Sequence, residues 1–149
     1  MSVDGAARGN PGPAGIGVSV VDEAGRLVAE LGEGIGHATN NQAEYRAALM
    51  GLRLAAEHGA RAVLLRSDSR LLVEQLAGRF RVKDPTLRRH HEEARRLMSE
   101  FEDVTLEHVP REQNADADRL ANQGIDEWLT TDEGRAYRRP EPPPQLFES

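Results

Sequence analysis

The segment that most constrains the fold is an 18-residue amphipathic stretch feeding a short apolar run. From Asn41 to His58, Tyr45, Ala48, Leu49, Leu52 and Ala55 recur at helical spacing, and Gly59 supplies a stop. Ala62-Val63-Leu64-Leu65 follows and ends in Arg66-Ser67-Asp68. An apolar run of that length suits a strand buried on both faces, as in the parallel part of a sheet. Upstream, Ile16–Val21 and Leu27–Ile35 flank the turn Glu23-Ala24-Gly25 and read as an antiparallel hairpin. A hairpin followed by a helix and a buried strand predicts a mixed sheet with helices packed on it.

The rest of the chain fits that frame. Only Met1-Ser2-Val3 precede Asp4, so the first strand is expected to be very short, and Gly9-Asn10-Pro11-Gly12 is a turn cluster. Ser69–Ala77 reads as a helix stopped by Gly78. Asp84-Pro85 opens another helix, with Asp as cap and Pro in the first turn. Leu87, His91, Ala94, Met98 and Phe101 give that helix one face, to about Glu102. Val104–Val109 alternates as a strand, and Asn114–Trp128 is a last helix. One domain over residues 1–128 is expected, followed by a tail, residues 129–149, whose Pro140, Pro142, Pro143 and Pro144 predict an extended or disordered end.

Composition removes several classes of function. The chain has 149 residues and no cysteine, which excludes disulfides, thiolate metal sites and a cysteine nucleophile. No apolar run has the length of a membrane span or the form of a signal peptide, so a cytoplasmic protein without a membrane partner is expected. The net charge of −6 weighs against a plain nucleic-acid binder, but a nuclease that gathers carboxylates around metal ions can be acidic overall.

The chemistry lies in acids spread along the chain. Taken singly, each has an ordinary explanation. Asp4-Gly5 is turn chemistry, Asn41 and Glu44 have the spacing of a capping pair, Asp68 stands where a helix cap is expected, and Asp116 and Asp118 complement a helix dipole. Jointly they fall at strand ends and helix starts that a mixed sheet brings to one edge. Clustered carboxylates form a hard-ligand site for Mg²⁺ or Mn²⁺. Two such ions about 4 Å apart can activate water and stabilise a leaving oxygen in phosphodiester hydrolysis.

Four motifs carry a family resemblance. Asp4-Gly5-Ala6-Ala7-Arg8-Gly9-Asn10-Pro11-Gly12 resembles the opening of type 1 ribonuclease H, and Thr39-Asn40-Asn41-Gln42-Ala43-Glu44-Tyr45 resembles its second motif. Ser67-Asp68-Ser69 and Asn114-Ala115-Asp116-Ala117-Asp118 resemble the third and fourth, in family order, over about residues 2–127. The resemblance implies an α/β fold of the ribonuclease H type, a five-stranded mixed sheet flanked by helices. It implies endonucleolytic hydrolysis of RNA paired with DNA, leaving 5′-phosphate and 3′-hydroxyl ends. Asp4, Glu44, Asp68 and Asp118 are then the catalytic metal ligands for two Mg²⁺ or Mn²⁺ ions. Asp118 is preferred to Asp116 because it follows Asn114 by four residues. Gly5, Ala6, Asn10, Asn40, Asn41 and Gln75 would touch the minor groove of the hybrid, and Thr39 would hold a DNA-strand phosphate. A monomer is expected. Two departures stand out: Gly78–Lys83 replaces the basic, Trp-containing protrusion of some members, and Pro110-Arg111-Glu112-Gln113 fills a loop that carries a histidine in others. The competing readings are a non-cutting binding module, a different nuclease on the same sheet, and a small-molecule α/β enzyme. The last is disfavoured because Gly9–Gly12 lacks the strand–loop–helix context of a phosphate-binding glycine loop.

Overall fold

The computed structural model describes residues 1–138. In chain order its elements are β1 (Ser2–Ala7), β2 (Gly12–Val21), β3 (Leu27–Ala38), α1 (Asn40–Glu57), β4 (Ala62–Ser67), α2 (Arg70–Leu76), α3 (Pro85–Met98), β5 (Asp103–His108), α4 (Ala115–Trp128) and α5 (Asp132–Arg138). The strands form one five-stranded sheet in the order β3-β2-β1-β4-β5. β1, β2 and β3 pair antiparallel, while β1–β4 and β4–β5 pair parallel. This is the mixed sheet that the hairpin and the apolar run predicted, but β4 is buried on one face only: Val63 and Leu65 face the core while Ala62 and Leu64 are exposed, because no helix among the described residues covers the other face there.

Of the hairpin strands, β2 is covered on both faces and β3 is only partly covered. Ile16, Val18 and Val20 point into the main apolar core with Tyr45, Leu49 and Leu52 of α1. The alternate residues Gly15 and Gly17 lie under α4, where a Cβ would stand 2.3 Å from the Ala121 carbonyl oxygen and 2.0 Å from that of Ala117. Gly32 and Gly34 of β3 meet Leu120 and Trp128 in the same way, and Gly124 of α4 meets Glu33. Side chains are absent along this seam, so the helix backbone rests directly on the sheet.

Two expectations change. β1 does not stop at Val3: it pairs with β2 through Ala7↔Ala14, which puts Asp4 inside the strand, opposite Gly17. Gly5-Ala6-Ala7 has little strand preference of its own, and pairing with β2 overrides it. The tail is not extended throughout, since Asp132–Arg138 is a helix. Thr131 Oγ1 accepts from the Gly134 amide at its start, and Tyr137 packs against Trp128 and His37. The signal was present, a threonine followed by Asp132 and Glu133 in the first turn, but Gly134 and the prolines beyond obscured it. The Pro-rich stretch 139–149, expected to be extended or disordered, lies outside the described residues. No helix among the described residues is long and apolar enough to cross a membrane.

Candidate active site

The local explanations for Asp4, Glu44 and Asp68 fail one after another, while Asp116 and Asp118 do lie in the first turn of α4. The cap of α1 is Thr39, whose hydroxyl accepts from the Gln42 amide at 3.1 Å while Gln42 Oε1 accepts from the Thr39 amide at 2.9 Å. Glu44 has no part in that capping box, so the Asn41/Glu44 pairing is corrected. The cap of α2 is Ser69, not Asp68. Asp4 is in a strand, not a turn. Freed of local duties, the three side chains converge: one carboxylate oxygen from each of Asp4, Glu44 and Asp68 lies within 4.8 Å of the others.

Each arrives by a different element. Asp4 projects from β1 towards the face on which Gly17 meets α4. Glu44 reaches in from α1, and Gly5 permits it: a Cβ there would stand 2.1 Å from the Ala43 carbonyl carbon. The Gly5 amide donates to Glu44 Oε1. Asp68 follows the last residue of β4. Asp118, in the first turn of α4, is within hydrogen-bonding reach of Asp4 and lines the same open cleft. Asp116 points elsewhere, into a groove beside Ser2 and Ser19.

The cluster is electrostatically strained. Burial and the neighbouring charges of Glu44 and Asp68 push Asp4 well above the ordinary carboxylate range. Burial also raises Glu44, although the Gly5 amide and Asp4 oppose the shift. Asp68 is raised by burial against the pull of Asn114, Arg111 and His108. Glu44 Oε2 is buried without a hydrogen-bond partner. A buried carboxylate oxygen left in that state is costly unless something positive meets it. Oxygen donors of this kind fit a hard divalent cation.

Around the acids, Gly5, Ala6, Asn40 and Asn41 line the cleft. Asn10 stands at its margin, its Oδ1 accepting from the Asn40 amide at 3.1 Å, while Asn40 Oδ1 accepts from Ala7 at 2.9 Å. Thr39 is one residue outside, at the start of α1. Gln75 is not brought to the cleft. It is 5% exposed, and its side-chain amide is bonded internally to Tyr45 and the Arg81 carbonyl. That placement corrects the expected substrate contact.

Sequence reading passed over four cleft-lining residues: Ala7, Arg8, Ser69 and Asn122. Arg8 bonds Asp126 at 2.7 Å, joining the end of β1 to α4. Asn122 donates to the Asp118 carbonyl at 3.1 Å, a contact its spacing of one helical turn could have suggested. Arg111, from the loop before α4, also lines the cleft, 3.9 Å from Asp118 and 81% exposed. Asn114 is buried and donates to the Val3 carbonyl at 2.9 Å, tying α4 to β1 beside Asp4.

The family model described as Reverse transcriptase-like matches residues 2–124. The chain is similar to a ribonuclease HI of Halobacterium salinarum, 49% identical over 124 residues, which are 83% of this chain and 62% of that protein. It is also similar to a bifunctional protein of Mycobacterium tuberculosis, 45% identical over 85% of this chain and 35% of that protein. The chain thus spans under two thirds of these two relatives. Among solved structures, a ribonuclease H1 from compost in complex with an RNA/DNA hybrid superposes with a TM-score of 0.82 at 41% identity, covering 87% of this chain and 97% of that one.

Proposed function

The chain belongs to the ribonuclease H family, and on that premise we propose that it is an endonuclease that hydrolyses the RNA strand of RNA–DNA hybrids, leaving 5′-phosphate and 3′-hydroxyl ends. The observation that carries this reading is the meeting of Asp4, Glu44, Asp68 and Asp118, from four separate elements, in one open cleft.

These carboxylates would hold two divalent ions, Mg²⁺ or Mn²⁺. Bound there, such ions supply a Lewis-acid field that eases loss of a proton from water and offsets the charge on the departing 3′-oxygen. The chain's own groups do the positioning. Gly5 and Ala6 present nearly bare backbone to the cleft, which lets a ribose approach closely. The 2′-hydroxyl is what distinguishes RNA from DNA there, and the amides of Asn10, Asn40 and Asn41 stand where they can pair with it and with base edges. Thr39, at the start of α1, suits a phosphate of the DNA strand. Arg111, exposed at the rim, offers a guanidinium to the backbone of the substrate. The active unit is a single chain.

The test is a labelled RNA–DNA hybrid, a DNA duplex and an RNA duplex, each incubated with and without Mg²⁺ and with Mn²⁺. Cleavage confined to the RNA of the hybrid and dependent on metal is expected. Equal cleavage of the DNA duplex, or metal-independent cleavage, overturns the proposal.

A further inference from the structure

The sheet is weakest where the acids need it most. β1 and β4 are in register at Ser2↔Arg66, supplemented by the Arg66 amide on the Met1 carbonyl. Asp4 and Asp68 each lie two residues beyond that pair, where the strands have parted. No backbone ladder between these strands holds Asp68 at a set distance from Asp4 and Glu44. On the α4 side, Asn114 crosses to Val3.

On the opposite side stands a second buried amide. The Tyr45 hydroxyl, in a side chain 1% exposed, donates to Gln75 Oε1 at 2.6 Å. Tyr45 follows Glu44 on α1, and Gln75 lies on α2, whose cap Ser69 adjoins Asp68 and lines the cleft. Gln75 is itself immobilised. Its Nε2 donates to the Arg81 carbonyl at 3.2 Å, and its own carbonyl meets His91 Nε2 of α3 at 2.9 Å. Arg95 of α3 donates to the next carbonyl, that of Leu76, at 2.8 Å. Apolar packing of Leu72 and Leu76 against this core is non-directional and tolerates sliding. A short hydrogen bond in a dry interior does not.

We propose that Gln75 is a positioning residue: through Tyr45 it holds α1, and Glu44 with it, at the separation from Asp68 that a shared cation site requires. The inference rests on the metal-dependent cleavage proposed above. It gives the glutamine a role in place of the substrate contact that the family resemblance implied. Neither Gln75 nor Tyr45 touches substrate or ion.

Two variants test it, Tyr45→Phe, which removes one oxygen, and Gln75→Leu. Leu52→Ala, a core change away from the strut, is the control. The measurements are Mn²⁺ affinity by calorimetry without nucleic acid, kcat and KM on the hybrid, and Tm. Both strut variants are expected to bind Mn²⁺ about tenfold more weakly, as outer-shell substitutions at metal sites do, and to lose kcat by about tenfold with KM unchanged. Leu52→Ala is expected to lose more Tm and keep parental Mn²⁺ affinity. Strut variants that lose Tm yet bind Mn²⁺ and turn over like the parent overturn the positioning role. A parent chain that binds Mn²⁺ but cleaves no hybrid overturns the reading of the reaction alone, and the Mn²⁺ arm still decides the strut. A parent that binds no Mn²⁺ overturns both.

Discussion

The α4 seam and the acid cleft use the same device for opposite ends. At the seam, Gly15, Gly17, Gly32 and Gly34 remove side chains so that a helix backbone can rest on the sheet. At the cleft, Gly5 removes one so that α1 can press Glu44 against β1. The seam gains buried area and close packing, both of which favour the folded chain. The cleft gains a set of carboxylates that burial and mutual repulsion disfavour. Close approach stabilises in one place and stores electrostatic strain in the other. The two regions are therefore expected to respond to substitution with opposite signs.

The largest effect belongs to the cleft and to activity. Asp68→Asn keeps the shape of the side chain and removes its charge. Cleavage of the hybrid is expected to fall by about a thousandfold or more, while hybrid binding, measured by anisotropy without metal, changes little. Cleavage at the parental rate in Mg²⁺ would sink the assignment of the acids.

Next comes the seam. Gly17→Ala places a methyl group 2.0 Å from the Ala117 carbonyl oxygen, backbone against backbone, where no rotamer change relieves the clash. A loss of about 3 kcal/mol or more is expected in urea unfolding. Activity per folded molecule is expected to fall as well, because α4 must shift at Ala117, one residue before Asp118, where Gly17 lies opposite Asp4. A loss below about 1 kcal/mol would mean that the seam yields easily and that the contrast with the cleft is overdrawn.

Much of this was legible in the residues. The amphipathic Tyr45–Ala55 face, the apolar run at Val63–Leu65 and the hairpin alternation placed the sheet and its main helix, although only Val63 and Leu65 of that run are buried. What was not legible came from long-range pairing. Taken singly, Asp4 fits a turn as well as a ligand, because strand β1 exists only through β2 and Gly5-Ala6-Ala7 carries no strand signal alone. Glu44 and Asp68 are legible as ligands only through the four motifs taken together, because spacing alone fits a capping role equally well and cannot tell which of several polar residues turns inward; Thr39 and Ser69 take the caps. The family resemblance made Gln75 a minor-groove contact; its burial was not legible, since it depends on α3 and the 79–84 segment folding over it. The glycines of β2 and β3 blurred the alternation of those strands, and their purpose emerges only once α4 lies on them.

A smaller effect tests the sign of the contrast. Asp4 is raised in the folded chain, so relative to the unfolded chain it favours the protonated form. Its contribution is most favourable below the unfolded value, about pH 4, and is lost as pH rises through the folded value. Without divalent ions, the chain should lose stability from pH 5 to pH 8. Asp4→Asn should be the more stable of the two at pH 8, by about 1–3 kcal/mol, and nearly equal at pH 4. Millimolar Mg²⁺ or Mn²⁺ should narrow or reverse that ranking, since only the parent keeps the full ligand set. A parent more stable than Asp4→Asn at pH 8 in chelator would show that the cleft stores no strain.

The smallest effect should come from α5, which belongs to neither region. Tyr137 is 39% exposed and sits 6.2 Å from the Trp128 ring and 5.5 Å from His37. Trp128 in turn covers Gly34 at the end of the seam. Tyr137→Ala should lower stability by about 0.5–1 kcal/mol, the scale of a partly exposed aromatic contact, and leave cleavage unchanged. His37 lies two residues before Thr39, however, so α5 also stands near the start of α1, where a phosphate of the DNA strand is proposed to bind. If Tyr137→Ala raised KM for the hybrid without moving Tm, α5 would be an extension of the cleft instead of a lock on the seam. The ratio of those two readouts decides to which of the two regions the helix contributes.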